Sequence, residues 1–250
     1  MMAASFEAIS QKSLLVRIAL VHNGKAKDSN LELFDNYLKG LSAPNLMFSI
    51  IQGQGNIGYG AGQNLAFQTY KSEFHLFMNP DVELNPDALA EGLSYLRSNP
   101  DVAIVCPSAT EGDGSIQYLC KRFPSVLDLF LRGLIPETAS ALFSTRLARY
   151  ELQDLSDSQP TKGVPIVSGC FMLCRSALVE RVGGFDPAYF LYFEDFDLSI
   201  RVQSEGYLAY LPSMCIKHRG GHAAKKGLKH IMFFCQSGIR FFKNHGVKWF

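Results

Sequence analysis

The sequence predicts an α/β fold in which helices cover both faces of a mostly parallel sheet. Three observations support this prediction. Strand-like and helix-like segments alternate through the first 107 residues, the strand-like segments are apolar almost throughout, and hydrophobic residues make up 47% of the 250-residue chain. Alternation of strand and helix is typical of a parallel sheet, and strands that are buried on both faces need continuous apolar runs.

Four apolar runs predict the strands of the first half. They are residues 14–23, 45–53, 74–84 and 101–107. The first intervening helix begins at the capping-box spacing of Ser29 and Glu32. The second follows a glycine-rich turn at 56–64, and the third begins at Asn85 and Pro86, which are an N-cap and a first-turn signal.

The second half is predicted to be less regular. Residues 108–165 are rich in turns, with helices expected near 125–132 and 137–150. Beyond them the sequence predicts strands at 164–174 and 206–212 and helices at 176–184, 194–203 and 228–243. We find no internal repeat and no linker in the sequence, so a single domain over residues 1–250 is expected.

Composition and charge argue against several classes of protein. A net charge of +1 gives no support to nucleic-acid binding, and the six cysteines lack zinc-like pairing, so buried free thiols are expected. The first residues lack the basic start and apolar stretch of a secretory signal. No run reaches the roughly 18 apolar residues of a membrane span. A cytoplasmic location is therefore expected.

Polar residues follow three of the predicted strands. Asn23, Asn56 and Asp81 lie at or just beyond strand ends, and ligands of open α/β sheets bind at the carboxyl ends of the strands. Pro80 stiffens the backbone before Asp81, and a carboxylate at such a strand end can bind Mg²⁺ or Mn²⁺. An Asn-Pro-Asp sequence is also good turn chemistry, and the residues alone do not separate the two interpretations.

Two loops add candidate ligand contacts. The segment NIGYGAGQN at 56–64 leads into a helix, where backbone N–H groups can meet phosphate or sugar oxygens. It lacks the spacing of a dinucleotide fingerprint or a P-loop, so a tight turn is an equal alternative. His218 follows a predicted strand end, where it can bind a metal or donate to a phosphate, or can simply be solvated.

The run FLYFEDFDL at 190–198 places Glu194, Asp195 and Asp197 among aromatic residues. If a helix begins here, the three acids lie in its first turn, where the helix dipole favours negative charge. That interpretation does not explain the aromatic wall, which raises the proton affinity of a carboxylate toward that of a general base. We therefore favour a catalytic site, with Arg201 as a partner of Glu194 or Asp197.

Together these segments resemble the inverting nucleotide-sugar glycosyltransferases of family 2, which have the GT-A fold. The resemblance is greatest to the bacterial rhamnosyltransferase branch that builds O-antigen and other cell-surface polysaccharides. The stretches that carry it are VHNGKAKDSN, NIGYGAGQN, FMNPDVEL, DGSIQYLCKRFPS, VSGCFMLCRSALVERVGGFDPAYFLYFEDFDLSIRVQSEGY and HRGGH. The most specific of these is GGFDPAYFLYFEDFDL at its separation from NPDV.

The resemblance implies roles for individual residues. Asp81, with Asn79 at the first position of the family's Asp-x-Asp element, would hold Mg²⁺ or Mn²⁺ on the donor diphosphate. Asp195 would take the proton from the acceptor hydroxyl, and Glu194 would support it. His218 would lie near the diphosphate as a further metal ligand. The other residues implied to border the nucleotide sugar are Asn23, Asn56 and Gly58.

Under this resemblance the protein is expected to be a metal-dependent hexosyltransferase that inverts the anomeric centre. It would move a sugar, such as rhamnose from dTDP-rhamnose, to a saccharide or lipid-linked saccharide acceptor. The nucleotide-sugar half would span about residues 1–107, the acceptor half about 108–227 and an amphipathic helix about 228–245. The usual first strand of the family is expected to be absent, and His22 stands where the family has Asp.

Two other hypotheses remain open from the sequence. One is a catalytically impaired homologue that acts as a binding or assembly subunit, which the absent strand and His22 favour and the intact carboxylate run opposes. The other is a nucleotidyltransferase on a similar sheet, which the lack of a glycine-rich phosphate loop with a lysine opposes.

The C-terminal stretch KHIMFFCQSGIRFFKNHGVKWF is aromatic and basic. Such a stretch can lie on the anionic surface of the inner membrane, close to a lipid-linked acceptor. It can equally form a helix that packs on the core. The sequence favours neither alternative.

Overall fold

The computed structural model describes residues 15–24, 45–134, 141–219 and 227–250. The helix predicted from Ser29 and Glu32 lies outside the described residues. The strands are β1 (Val16–Val21), β2 (Leu46–Ile51), β3 (Phe74–Met78), β4 (Val82–Leu84), β5 (Val102–Thr110), β6 (Ile116–Gln117), β7 (Cys120–Lys121), β8 (Thr161–Lys162), β9 (Ile166–Val167), β10 (Phe171–Arg175) and β11 (Tyr207–His218). The α-helices are α1 (Tyr59–Thr69), α2 (Ala88–Ser98), α3 (Val126–Leu134), α4 (Ser144–Tyr150), α5 (Ser176–Arg181), α6 (Glu194–Val202) and α7 (Leu228–His245), and a 3₁₀ turn covers Ala141–Phe143.

The main sheet has seven strands and is mixed. Its path runs β3-β10-β5-β11-β4, with β6 on β5 and β8 on β11, while β1 and β2 form a separate parallel pair. Only β5 and β11 pair in parallel within the main sheet as described. The sheet thus differs from the mostly parallel arrangement expected, because β10 inserts from the second half of the chain between β3 and β5. Apolar runs report burial on both faces, not strand direction.

The central strands carry the core. The first five residues of β5, Val102 to Cys106, are fully buried, as are Phe171 and Met172 of β10. Helix α2 packs across β5, β10 and β11, and Leu89 and Leu96 lie on its buried face. Removal of apolar surface from water stabilises such packing by roughly 25 cal/mol per Å². Four of the six cysteines are buried and all six are free thiols, as predicted.

The strand predicted over 164–174 is two strands. β9 and β10 are separated by Ser168, Gly169 and Cys170. The N–H of Gly169 donates to a carboxylate of Asp195 instead of to a neighbouring strand. Similarly, the run 74–84 is divided at Asn79 into β3 and β4, and the strand predicted over 206–212 extends to His218.

Helix α7 packs beside α6 through an aromatic cluster. Tyr189, Phe193 and Phe241 are buried together there, and Phe234 packs against them. One face of α7 therefore packs on the rest of the protein. This agrees with the prediction of a helix that packs on the core. None of the helices in the described part of the chain is long and apolar enough to cross a bilayer.

Candidate active site

Two backbone N–H groups hold the carboxylate of Asp195 at the start of α6. Its Oδ2 atom accepts a hydrogen bond from Gly169 N (2.8 Å), and its Oδ1 atom accepts one from Phe196 N (2.9 Å). A Cβ atom at Gly169 would lie 3.0 Å from the Asp195 Cβ, so a larger residue there would press against Asp195. Burial raises the pKa of Asp195, and the two N–H groups act in the opposite direction by stabilising the charged form.

Glu194 lies beside Asp195 in a drier position. Its side chain is buried, and its Oε2 atom has no hydrogen-bond partner among the described residues. Burial, followed by the charge of Asp195, raises the pKa of Glu194 to about 8. The raised pKa favours the protonated form of Glu194 at neutral pH.

The backbone before this pair is strained. Tyr192 and Phe193 have φ angles of 70° and 63°, in the left-handed region that non-glycine residues seldom adopt. Such conformations cost on the order of 1–3 kcal/mol each and persist only where packing enforces them. Here the Phe193 ring packs against Phe241, and the Tyr192 hydroxyl is 2.8 Å from Nδ1 of His230. This left-handed backbone directs the start of α6, which carries the acid pair, toward the β9–β10 turn.

Asp197 has a different task. Arg201 Nε donates to its Oδ2 atom (2.6 Å), and His245 Nε2 lies 2.8 Å from its Oδ1 atom. Arg201 also donates to the carbonyl oxygens of Val182 and Gly184. Asp197 therefore links α6 to α7 through His245, and through Arg201 it links α6 to the loop of Val182 and Gly184. Arg201 pairs with Asp197 and not with Glu194.

Asp81 and His218 meet at the edge of the main sheet. β4 pairs with β11 in a register that places Val82 opposite His218, and Asp81 Oδ1 is 3.3 Å from His218 Nε2. Nδ1 of His218 lies 2.8 Å from Gln117 Oε1. The turn interpretation also holds, since Val82 N donates to Asn79 O (3.3 Å). The Asp81 side chain is 43% exposed, so it remains open to a ligand.

Asp81 and His218 would suit a divalent cation whose remaining coordination positions are filled by diphosphate oxygens and waters. No group of three or more His, Cys, Asp or Glu residues in the described ranges forms a cage for a metal. Mg²⁺ typically takes one or two carboxylates and fills its other positions with waters and phosphate oxygens. In the tautomer whose Nδ1–H donates to Gln117 Oε1, the Nε2 lone pair of His218 faces Asp81, which is the arrangement that a metal ligand requires.

A short segment joins the two acidic positions. Gly169 N binds Asp195, and the carbonyl of the next residue, Cys170, accepts from Asn79 N (2.9 Å), two residues before Asp81. Burial raises the pKa of the Cys170 thiol to about 12, and the charges of both Asp195 and Asp81 add to that shift. The structure thus brings Asp81 and Asp195 to the same segment of chain.

The glycine-rich segment forms a second hydrogen-bonded group. Asn23 Nδ2 donates to Gly58 O (2.6 Å), and Gly58 N donates to Asn56 Oδ1 (3.2 Å). A Cβ atom at Gly60 would lie 2.8 Å from the Phe185 Cβ and 3.4 Å from the Glu194 Cβ. Tight turning and close packing are sufficient to explain the glycines. The three residues predicted to border the nucleotide do lie together.

Sequence reasoning missed Tyr59. Its hydroxyl donates to Gly169 O (2.6 Å), which joins α1 to the turn that holds Asp195. Burial raises the pKa of Tyr59, and the neighbouring charges of Cys170, Glu194 and Asp195 raise it further. An aromatic residue within a glycine-rich turn was the available signal, but nothing in the sequence pointed to its partner.

Comparison with known proteins decides the family. The model of glycosyl transferase family 2 matches residues 2–183. The chain belongs to glycosyl transferase family 2. It is 27% identical over 182 residues to N-acetylglucosaminyl-diphospho-decaprenol L-rhamnosyltransferase of Mycobacterium tuberculosis, covering 67% of this chain and 57% of that protein. It is 28% identical over 177 residues to rhamnosyltransferase WbbL of Escherichia coli, covering 67% of this chain and 63% of that protein. The predicted rhamnosyltransferase-like branch of the family is confirmed, and the chain spans under two thirds of these relatives' length.

Solved structures of low sequence identity share the fold. GalNAc-T7 with UDP, GalNAc and Mn²⁺ matches with a TM-score of 0.63 at 15% identity, over 92% of this chain and 42% of that one. Mannosyltransferase PcManGT of Pyrobaculum calidifontis, in complex with GDP-Man and Mn²⁺, matches with a TM-score of 0.55 at 16% identity, over 90% and 55%. S. aureus TarS with UDP-GlcNAc matches with a TM-score of 0.54 at 14% identity, over 98% and 63%. The predicted GT-A fold is confirmed.

Proposed function

We propose that this family 2 protein is an inverting glycosyltransferase of cell-surface polysaccharide synthesis. It transfers a sugar from a nucleoside diphosphate donor to a saccharide or lipid-linked saccharide acceptor. The observation that carries the proposal is the clamp of Gly169 on Asp195, beside the buried Glu194 and one short segment from Asp81.

At the acceptor end, Asp195 accepts the proton of the attacking hydroxyl. Its raised proton affinity suits this task, and its two backbone hydrogen bonds fix the orientation of the carboxylate. Protonated Glu194 adds no second negative charge that would repel the developing alkoxide. A single displacement at the anomeric carbon needs only one base and inverts the centre.

At the donor end, Asp81 and His218 are the residues that would hold Mg²⁺ or Mn²⁺. Such an ion neutralises the negative charge of a departing nucleoside diphosphate. Two of the structural neighbours, GalNAc-T7 and PcManGT, were solved with Mn²⁺, which supports this choice of cation.

For the donor we propose dTDP-rhamnose, with Asn23, Asn56, Gly58 and Asn79 bordering it. The support is that the curated relatives are rhamnosyltransferases by name. The M. tuberculosis relative acts on a lipid-linked diphosphate saccharide by name, which supports an acceptor of that kind. Family membership favours glycosyl transfer over nucleotidyl transfer.

A second candidate function is that of a binding or assembly subunit without transferase activity. His22, in place of the family's Asp, favours it. A donor panel with Mg²⁺ or Mn²⁺ separates the two functions. We expect thermal stabilisation by dTDP-rhamnose with metal, and release of dTDP when a lipid-linked saccharide is added, with inversion seen by NMR of the product. Absence of stabilisation with every donor tested would favour the binding subunit.

We further propose that α7 lies against an anionic membrane surface. Opposite its packed face, α7 exposes an apolar stripe of Leu228, Ile231, Met232 and Ile239, at 85, 45, 47 and 71% exposure respectively. Lysines 229 and 243 are exposed on the same helix, which suits anionic headgroups.

Sedimentation with anionic vesicles tests this proposal. Ile239→Glu removes an exposed apolar side chain, and we expect about tenfold weaker binding to vesicles, since full burial of such a side chain stabilises by roughly 1.5–3 kcal/mol. Gln236→Glu adds the same charge at another exposed position of α7 and should bind more tightly than Ile239→Glu. If the two variants bound vesicles equally, the added negative charge alone would explain the weaker binding, and the apolar stripe would have no part in it.

A further inference from the structure

A cluster of charged side chains lies beside the β9–β10 turn and has no role in the chemistry proposed above. We call Lys121, Arg132, Tyr150 and Glu151 the basic cluster. Glu151 Oε1 is 3.0 Å from Lys121 Nζ and 3.4 Å from Arg132 Nε. Two cations thus share one carboxylate, which leaves an excess positive charge. Lys121 is buried and also donates to Tyr118 O, whereas the Arg132 side chain is 51% exposed.

The sheet brings this cluster to Asp195. β7, which carries Lys121, pairs with β9, and the chain continues from β9 directly into the turn whose Gly169 holds Asp195. Ser168 N donates to Leu119 O (2.9 Å), so the turn stays next to β7. The base and the basic cluster are therefore neighbours across one strand pair.

Electrostatics supports the same placement. Burial raises the pKa of Asp195, the N–H groups of Gly169 and Phe196 lower it, and the side-chain cation that lowers it further is Arg132. Burial also raises the pKa of Tyr150, with Arg132 opposing the shift and Asp195 adding to it. Arg132 and Tyr150 are thus both within electrostatic reach of the catalytic carboxylate.

Tyr150 has unused hydrogen-bonding capacity. It is 2% exposed, and its hydroxyl has no hydrogen-bond partner in the described part of the chain. A buried hydroxyl without a partner is unfavourable, and a bound group that accepts its proton in a hydrogen bond would remove that cost. The backbone is well fixed there, because Arg122 N donates to Tyr150 O (2.8 Å).

Apolar surface lies at the start of the helix that carries Arg132. Val126 N and Leu127 N donate to the carbonyl oxygens of Lys248 and Trp249, so the C-terminal residues dock on the first turn of α3. Trp249 and Phe250 are 64 and 80% exposed, and Phe130 of α3 is 50% exposed. Exposed apolar side chains therefore lie near the helix that carries Arg132, and they suit the hydrocarbon part of a ligand whose anionic head contacts that guanidinium.

We propose that Arg132 and Tyr150 form an acceptor subsite that binds the diphosphate of a lipid-linked acceptor next to Asp195. This inference rests on the proposed transferase function, since it assigns the acceptor of that reaction. Arg132 donates to the phosphate oxygens, for which its planar fork is suited. The Tyr150 hydroxyl donates to the same group, and Glu151 neutralises Lys121 so that the charge of Arg132 is left for the ligand.

Binding without metal tests the subsite directly. Farnesyl diphosphate is titrated into the full chain in EDTA, which removes the metal that the donor site would use, and binding is measured by calorimetry. Trp249, the chain's one tryptophan, provides a second signal beside α3. We expect Arg132→Gln to weaken binding about tenfold or more, and Tyr150→Phe to weaken it about threefold, since hydrogen bonds to charged groups are the stronger ones.

The matched control is Arg181→Gln. Arg181 is also 51% exposed and also pairs with a glutamate, Glu205, but it lies on α5. The Arg181→Gln variant should bind farnesyl diphosphate with the same affinity as the unchanged protein. Equal affinities for the Arg132 and Arg181 variants would overturn the proposal, as would binding of farnesol or inorganic pyrophosphate as tight as that of farnesyl diphosphate. If Arg132→Gln does not fold, Arg132→Lys takes its place. It keeps the charge without the fork, and an unchanged affinity would overturn the proposal.

Transfer assays separate this inference from the proposed function. With a diphosphate-linked acceptor, Arg132→Gln should raise KM for the acceptor about tenfold and leave KM for the donor unchanged. Unchanged acceptor KM with normal transfer defeats the subsite alone. Tight, Arg132-dependent binding of farnesyl diphosphate without transfer from any donor defeats the transferase function and leaves the subsite standing.

Discussion

Asp81 and Asp195 are the same residue type in opposite surroundings. The Asp81 side chain is 43% exposed and sits beside an imidazole. Asp195 is held by backbone N–H groups next to a glutamate whose pKa burial raises to about 8. An exposed carboxylate beside an imidazole suits a cation, whereas burial raises the proton affinity of a carboxylate and suits a base. Local structure, and not residue type, separates the two tasks.

Different backbone devices create the two surroundings. Asp81 follows a strand end at the sheet edge, where β4 pairs with β11 and brings His218 alongside. The acid pair begins a helix that two left-handed residues, Tyr192 and Phe193, turn toward the β9–β10 turn. Edge position leaves the first acid open to solvent, whereas backbone N–H groups of the β9–β10 turn and of α6 hold the second.

The largest effect should come from Asp195→Asn. An amide keeps the shape of the side chain but cannot accept the proton, so we expect kcat to fall about a thousandfold, within the range for a general base. Donor affinity, measured by calorimetry with metal, should change less than about threefold. Equal loss of transfer and donor binding would mean that Asp195 has a structural role.

Asp197→Asn provides the contrast two positions along the same helix. Its carboxylate is buried against Arg201 and His245, and removing its charge should cost about 3 kcal/mol of the free energy of unfolding. The folded fraction should retain most of its kcat. A variant that kept full stability would show that the ties of α6 to α7 contribute little.

Asp81→Ala should abolish the response to metal. At a donor concentration of about 100 times Kd, ligand binding stabilises a protein by about 2.7 kcal/mol, which is a rise in Tm of several degrees for a chain of this size. We expect the metal-dependent part of this rise to vanish in the variant, by thermal melting with and without Mg²⁺. Asp87→Asn, at an exposed helix start, is the control. An undiminished metal response would remove Asp81 from the site.

The sequence pointed to the acids as candidates but not to the backbone that holds them. Motif spacing pointed to Asp81 and Asp195, and the acidic first turn pointed to the start of α6. The turn at 168–170 was predicted as strand, because its glycine stands within an apolar run and the carboxylate it binds is 26 residues away. Likewise, no local pattern placed β10 between β3 and β5.

The left-handed pair was beyond prediction for a different reason. Tyr192 and Phe193 are bulky aromatic residues, which are disfavoured at positive φ. Rings of α7 such as Phe234 and Phe241 pack against these two residues and stabilise the conformation. Local propensity was overridden by tertiary packing, and such departures are expected at functional sites.

Glu194→Gln should change the pH dependence of stability. Burial raises the pKa of Glu194 to about 8 in the folded protein, against 4.5 for a solvated glutamate, so between these values the unfolded chain releases a proton that the folded protein keeps. Stability of the unchanged protein therefore falls as pH rises through this window. The variant lacks this loss, so its free energy of unfolding should gain on the unchanged protein by up to about 1.4 kcal/mol per pH unit.

Urea unfolding from pH 5 to pH 8 measures this difference. Glu73→Gln is the control, because Glu73 is exposed and its variant should run parallel to the unchanged protein. If the free energy of unfolding of Glu194→Gln also followed that of the unchanged protein at every pH, Glu194 would be ionised in the folded protein. The proposal of a protonated Glu194 beside Asp195 would then be wrong.

The smallest effect should come from Tyr59→Phe, which tests whether the two acidic positions share one support. The change removes the hydroxyl that donates to Gly169 O, and we expect a loss of about 1 kcal/mol in the free energy of unfolding. Because the same turn binds Asp195 through Gly169 N and Asn79 through Cys170 O, both kcat and the metal dependence of donor binding should weaken, by about threefold each on the same energy scale. Leu65→Phe, elsewhere on α1, would not act through the turn. A drop in kcat with unaltered metal dependence would show that the turn positions the base alone, and that Asp81 depends on the β4–β11 edge.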